Sequence, residues 1–201
     1  MNKELLIVFV KNIVLGKVKT RLAKTIGNRG AFNVYKQLYN ITQTETLKLD
    51  IDRHIYFSDV VINSAWPNDD KFIQVGDDIG ERMENAFKKG FELGYDKIIL
   101  IGSDLPDIND RIIMQGFNKL NDSNFVFGPA LDGGYYLVGM KKLIPGLFTD
   151  KPWSTPELMT ITQSFVINKG KSISYLENLN DIDNIDDLNK SSLDSIYKTD
   201  C

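Results

Sequence analysis

Two uninterrupted apolar runs, Leu5 to Val10 and Ile98 to Ile101, constrain this chain more than any other feature. A strand that is apolar on both faces must be covered on both faces, as a central strand of a helix-covered sheet is. Helical patterns alternate with further short strands. Apolar residues at three- and four-residue spacing predict a helix from about Arg29 to Leu49, through Ala31, Val34, Tyr35 and Leu38. Strands are expected at His54 to Ser58, Phe72 to Val75, Lys97 to Ile101, Phe125 to Phe127, Tyr135 to Met140 and Ile173 to Tyr175. Helices are expected from Asp78 or Ile79 to Gly94, Asn109 to Leu120, Ser154 to about Asn168, and Asp183 to Tyr197. The alternation predicts an α/β fold: three layers, α/β/α, around a mostly parallel sheet. In such sheets ligands bind beyond the carboxyl ends of the strands, so residues just after strands are the informative ones.

Composition narrows the classes. The 201 residues suit one domain, 1–201, with 42% hydrophobic and 25% charged residues, near the globular average. No apolar run approaches the ~20 residues that span a bilayer. The only cysteine is Cys201 and the only histidine is His54, so an intramolecular disulfide, a thiolate zinc site or a histidine metal cluster is excluded. With no export pattern at the start, a cytoplasmic location is the expectation.

Charge is unevenly spread. The net charge is −3, yet Lys11 to Thr44 contains no acid and carries Lys11, Lys17, Lys19, Arg21, Lys24, Arg29 and Lys36. A compact basic block in a mildly acidic protein points to a small anionic ligand and not to nucleic acid, which needs a broad basic face. A solvated helix face is the plainer alternative.

After the first strand comes Lys11-Asn-Ile-Val-Leu-Gly16-Lys17-Val-Lys19-Thr20-Arg21, a glycine loop with cations at alternate positions. Backbone N–H groups, a glycine and fixed cations are what a polyphosphate needs. The spacing is neither a Walker loop nor a dinucleotide fingerprint. After the strand ending at Ile101 comes Gly102-Ser103-Asp104-Leu105-Pro106-Asp107. Asp104 at a strand tip can hold Mg²⁺ or Mn²⁺, which take one or two carboxylates and share phosphate oxygens. Asp107 or Asn109 suits the cap of the next helix. After Phe127 comes Asp132-Gly133-Gly134-Tyr135, either a site of close ligand approach or a hairpin turn. Ser154 and Glu157 have capping-box spacing. The acid-rich Asn180 to Asp187 suits a first helical turn, though one acid could reach a metal.

These blocks, together with Gln74-Val-Gly76-Asp-Asp-Ile-Gly80-Glu-Arg82 and Trp153-Ser154-Thr155, resemble a bacterial family of GT-A-type glycosyltransferases or nucleotide-diphospho-sugar transferases, over nearly the whole chain. The first block also resembles 2-phospho-L-lactate guanylyltransferase, and Ser103-Asp104-Leu105-Pro106 resembles the molybdenum-cofactor nucleotidyltransferases. Asn12 departs from the family pattern, which commonly has proline there. The resemblance implies a nucleoside-phosphate donor with Lys11, Gly16, Lys17, Lys19 and Arg21 along its phosphates. It implies Gln74, Gly80 and Arg82 on the nucleoside side. Lys19, Arg21 and Asp104 would be catalytic, and Asp104 would hold the metal, with Asp132 or Asp183 as a second ligand. Asp132, Gly133, Gly134 and Tyr135 would face a small-molecule acceptor.

Three functions follow. The first is a metal-dependent glycosyltransferase using a nucleotide sugar. The second is a nucleotidyltransferase that takes NMP from an NTP and releases pyrophosphate, favoured by the cation density of the loop. The third is a nucleotide-binding module without turnover. Asp104 lacks the Asp-x-Asp spacing common in metal-dependent glycosyltransferases.

Overall fold

The computed structural model describes residues 3–194. Seven strands form one sheet: β1 (Glu4–Val10), β2 (Asp52–Phe57), β3 (Asp70–Ile73), β4 (Lys97–Ile101), β5 (Phe125–Pro129), β6 (Tyr135–Met140) and β7 (Ile173–Tyr175). Their order is β3-β2-β1-β4-β6-β5-β7. Only β6 runs against its neighbours, pairing antiparallel with β4 and β5. The two apolar runs lie side by side at the centre as β1 and β4, with Ile7 opposite Leu100. Both are buried throughout apart from Glu4.

Alternate residues of each strand feed two cores, as the two-residue period requires. Leu6, Val8 and Val10 face α1 (Thr20–Leu47) and α3 (Asp110–Asp122), where Tyr39, Ile113 and Phe117 pack. Leu5, Ile7 and Phe9 face α2 (Ile79–Glu92) and α4 (Leu158–Asn168), meeting Phe87 and Val166. This is the expected three-layer α/β/α sandwich. Local capping agrees with it. The Asp78 side chain accepts from Glu81 N–H at 2.8 Å, and that of Asn109, not Asp107, from Ile112 N–H at 3.0 Å. Each cap contributes about 1 kcal/mol. Gly94, at φ +85°, closes α2 as expected.

Three expectations change. The first helix begins nine residues earlier, at Thr20, and is broken at Gly27, whose φ of 74° is not helical. Its opening turns hold because Val18 and Leu22 bury against Ile182 and Leu188 of a distant segment, which local periodicity could not show. Ser154 does not cap α4: it sits at φ 63°, and the helix starts at Leu158 after Glu157, which makes no side-chain cap bond. The expected helix from Asp183 shrinks to α5 (Ile185–Asn189), capped by Asn184. Residues 195–197 of that expectation, and Cys201, lie outside the described residues. No helix among the described residues is long and apolar enough to cross a membrane.

Candidate active site at the carboxyl ends of the strands

The loop leaving β1 is fastened before it is charged. Asn12 is buried, and its Oδ1 accepts from Asp59 N–H at 2.9 Å, Val60 N–H at 3.1 Å and the Ser58 hydroxyl at 3.3 Å. Its Nδ2 donates to Val60 C=O at 2.7 Å, and its backbone N–H donates to Ser58 Oγ at 3.0 Å. A proline here would stiffen the loop through its ring. Asn12 instead ties the loop to the chain leaving β2. Lys11 N–H donates to Tyr35 Oη at 2.8 Å, and Tyr35 Oη lies 2.9 Å from Ser103 Oγ. The loop therefore rests on α1 and on the tip of β4. Gly16, at φ +77°, makes the turn back toward α1.

Lys19 is the centre of the site. It adopts the left-handed conformation, φ 47° and ψ 48°, just before α1. This strained backbone turns its side chain inward. Its Nζ lies 2.9 Å from Asp104 Oδ1 and 3.0 Å from Asp183 Oδ1. Arg21 reaches Asp183 Oδ2 at 3.4 Å. Burial alone would lower the Lys19 pKa, but Asp104 and Asp183 outweigh it and hold the ammonium well above its ordinary value. Burial works upward on Asp183, yet Lys19, then Arg21 and Lys11, hold its carboxyl below the usual range. Beside this triad, Lys11, Lys17, Lys19, Thr20, Arg21 and Ser154 line a hollow of ≈ 250 Å³. The basic block of the sequence is thus gathered into one polar mouth at the end of β1. Lys11, Lys17 and Arg21 are exposed, whereas Lys19 is buried.

The nucleoside-side residues are placed differently. Gln74 spends its amide on its own sheet, with Nε2 donating to Val10 C=O at 3.3 Å and Tyr56 C=O at 3.0 Å. Gly80 is buried, and a Cβ there would stand 2.4 Å from Phe148 O and 2.7 Å from the Trp153 ring, so it serves helix packing. Arg82 bonds Gly76 C=O at 2.9 Å and lines a separate apolar hollow with Tyr56, Phe72 and Val75.

Asp132-Gly133-Gly134 forms the β5–β6 hairpin turn. Ala130 N–H donates to Gly134 C=O, and Asp132 Oδ1 accepts from Gly134 N–H at 2.8 Å. Gly133, at φ +91°, lies against Pro156, whose carbonyl oxygen would be 2.2 Å from an added Cβ. The close approach that glycine permits here is to the protein's own chain. Tyr135 lies at the far side of Asp104, beside a second hollow of ≈ 90 Å³ that Asp104 and Asp181 share.

Asp181 carries a signal that the sequence hid. Burial, then Asp132 and Asp183, push its carboxyl up to about 7 against the pull of Lys19. Asp132 and Asp183 thus act on Asp181, and the buried Lys19 between Asp104 and Asp183 opposes them. Among the described residues no three carboxylate, His or Cys side chains already converge as a metal site. A nucleotide-bound Mg²⁺ needs only one or two protein carboxylates, so Asp104 and Asp183 fit that donor set once Lys19 turns to a phosphate.

Tyr35, Ser103, Ser154 and Asp181 were not among the site residues the sequence offered. Asp181 read as one acid in a helix-starting run. Only the return of the chain along β5, with Leu131 N–H on Leu179 C=O and Ile182 N–H on Asp104 C=O, brings it to the site. His54 offers no hydrolytic site: its ring is buried among Tyr56, Phe72 and Tyr95, and its nearest acid, Asp70, is 3.7 Å away.

Among solved structures, a protein from Desulfovibrio desulfuricans, provisionally described as a nucleotide-diphospho-sugar transferase, is 28% identical, with TM-score 0.89 over 100% of this chain and 96% of that one. CMP:2-keto-3-deoxy-manno-octonic acid synthetase complexed with CTP shares the fold at 11% identity, TM-score 0.59, over 99% of this chain and 100% of that one. So does 4-diphosphocytidyl-2C-methyl-D-erythritol synthase from Anaerococcus prevotii, at 9% identity, TM-score 0.61 and 93% of each chain. No curated protein sequence matches. The fold is that of the nucleotide-diphospho-sugar transferases and nucleotidyltransferases. A family model covers residues 53–155, from β2 through the Asp104 loop to Thr155, and by that match the chain belongs to the DUF2064 family, described as "Uncharacterized protein conserved in bacteria".

Proposed function

We propose that this chain is a metal-dependent glycosyltransferase that uses a nucleotide sugar. One observation carries the reading: the mouth at the end of β1, where Lys11, Lys17, Lys19 and Arg21 converge beside Asp104. The full-length likeness to the Desulfovibrio protein supports the donor class. Lys11, Lys17 and Arg21 bind the donor's phosphates from solvent-exposed positions. Lys19, released from Asp104 and Asp183, follows them from the buried side. Asp104 and Asp183 would hold Mg²⁺ or Mn²⁺, which neutralises the diphosphate as a leaving group. The acceptor oxygen bonds to the anomeric carbon, and the bond from that carbon to the diphosphate breaks. The nucleoside diphosphate leaves with the electron pair, and the acceptor's proton passes to solvent. No side chain in the mouth is placed as a covalent nucleophile, so catalysis rests on positioning and charge.

A specific observation favours a second reading. Four cations against Asp104 and Asp183 leave the mouth at about +2. A magnesium–triphosphate carries about −2, whereas a magnesium–sugar diphosphate is near neutral. Nucleotidyl transfer from an NTP matches that charge better.

A panel of NTPs and nucleotide sugars, each with and without Mg²⁺ or Mn²⁺, separates the readings by thermal shift and product analysis. A ligand at a hundred times its Kd adds ~2.7 kcal/mol of stability. Stabilisation by one nucleotide sugar with release of nucleoside diphosphate is the expected result. Pyrophosphate release from one NTP moves the assignment to the second reading. Stabilisation by neither class overturns both.

A further inference from the structure

Three motif blocks of the sequence have no part in the proposed reaction: Gly80, the Gly133–Gly134 turn and Trp153-Ser154-Thr155. The structure joins them around one residue. Among the described residues, four that are not glycine have a positive φ, and two of these, Lys19 and Ser154, line the same mouth. A positive φ strains a residue that carries a Cβ, and it persists only where the surroundings impose it.

At Ser154 two glycines let the surroundings close in. Trp153, one residue before it, lies with its ring against α2, where a Cβ on Gly80 would stand 2.7 Å from that ring. Pro156, two residues after it, lies against the β5–β6 turn, where the missing Cβ of Gly133 leaves room for its carbonyl. Met159 N–H donates to Gly133 C=O at 2.9 Å, and the Thr155 hydroxyl donates to Pro152 C=O at 2.9 Å, which fastens the same segment. Between these clamps Ser154 is exposed, at φ 63°. Its hydroxyl makes no hydrogen bond among the described residues. It reaches the mouth from the chain between β6 and α4, whereas Lys11 and Lys17 come from the loop after β1.

We propose that Ser154 is a phosphate-binding residue, whose hydroxyl donates a hydrogen bond to an oxygen of the diphosphate unit seated in the mouth. This rests on the reading of the mouth as the donor's phosphate site, and it holds for a nucleotide sugar and an NTP alike. Cations on flexible stems attract a phosphate without fixing its place. A hydroxyl held by a clamped backbone bonds one oxygen at one position. Ser154 thereby sets where the diphosphate comes to rest among the cations. Gly80 and Gly133, whose contacts are to the protein's own chain, serve the site by holding Ser154 there.

The test is a calorimetric titration of inorganic pyrophosphate, the unit that both donors share, into the whole chain in metal-free buffer. Ser154→Ala keeps the Cβ and removes the hydroxyl. Ser154→Gly removes the hydroxyl and relieves the backbone as well. The side chain is exposed and unbonded, so both variants keep the fold, which thermal unfolding without ligand checks. Both are expected to bind pyrophosphate about tenfold more weakly than wild type, with the wild-type salt dependence, since no charge is lost. Unchanged affinity in either variant overturns the hydrogen bond. A salt dependence that falls together with the affinity overturns it too, because the cations themselves would then have moved. Failure of the mouth as a phosphate site shows separately, as absence of pyrophosphate binding in wild type, and overturns this inference with it.

Discussion

Replacing Lys19 with methionine keeps the aliphatic stem and removes the charge on which the site is built. The Lys19 side chain is 5% exposed, whereas those of Asp104 and Asp183 are 41% and 39% exposed. Removing one partner of a fully buried pair costs about 3–5 kcal/mol. Here solvent carries part of the orphaned charge, which brings the expected loss to about 2–3 kcal/mol. For a chain of this size that is a Tm decrease of about 4–12 °C at pH 7. The pH dependence supplies a sign. Asp183 has its pKa lowered in the folded state, so its contribution is present above the ordinary carboxylate pKa and is lost as pH falls through the lower folded value. Lys19→Met removes the cause of that shift. Thermal unfolding of both proteins should therefore differ most at neutral pH and converge as the pH falls below about 4. Equal stability at pH 7, or a gap that is unchanged in acid, would refute the argument that Lys19 holds Asp183 ionised.

Other perturbations test neighbouring parts. Asp181 has its pKa raised to about 7, so its favourable state is fully present below its unfolded value and is lost as pH rises through about 7. Asp181→Asn should then be more stable than wild type at pH 8 by up to about 4 kcal/mol, less whatever solvent screens, with no gap near pH 4, in denaturant titrations at the two pH values. Asn12→Ala leaves two backbone N–H groups without their acceptor and should lower unfolding stability by about 2–4 kcal/mol in urea. Gly133→Ala drives a Cβ into the Pro156 carbonyl at a positive φ and should cost about 3 kcal/mol or more, read as a lowered Tm.

Sequence reading and structure part company in a regular way. Apolar runs and caps are local signals, so β4, β6 and the Gly94 stop were legible residue by residue, β1 but for Glu4, and the α3 cap to a choice of Asp107 or Asn109. The start of α1 was not, because Val18 and Leu22 are stabilised by Ile182 and Leu188, over 150 residues away. The basic mouth was legible because its four cations lie within eleven residues and follow a strand. The link from Lys19 to Asp104 and Asp183 was not, since it joins three segments that only the sheet order brings together. Asp132-Gly133-Gly134 stood between two readings, and the structure shows it as the β5–β6 turn, with Gly133 packed against Pro156 and Gly134 N–H on Asp132 Oδ1. Gln74 and Gly80 belong to well-marked motif blocks, yet their described contacts are to the protein itself. A distinctive motif can record how the chain is joined as readily as what it binds.

The most direct measurement is a calorimetric titration of the stabilising donor, with Mg²⁺, into wild type and Lys17→Ala. Lys17 is exposed and lines the mouth, so its removal leaves the fold alone. A phosphate-binding mouth predicts a loss of affinity of about tenfold, and a weaker salt dependence in the variant than in wild type. Equal affinity and equal salt dependence in the two proteins would contradict the claim that the donor's phosphates sit at the end of β1.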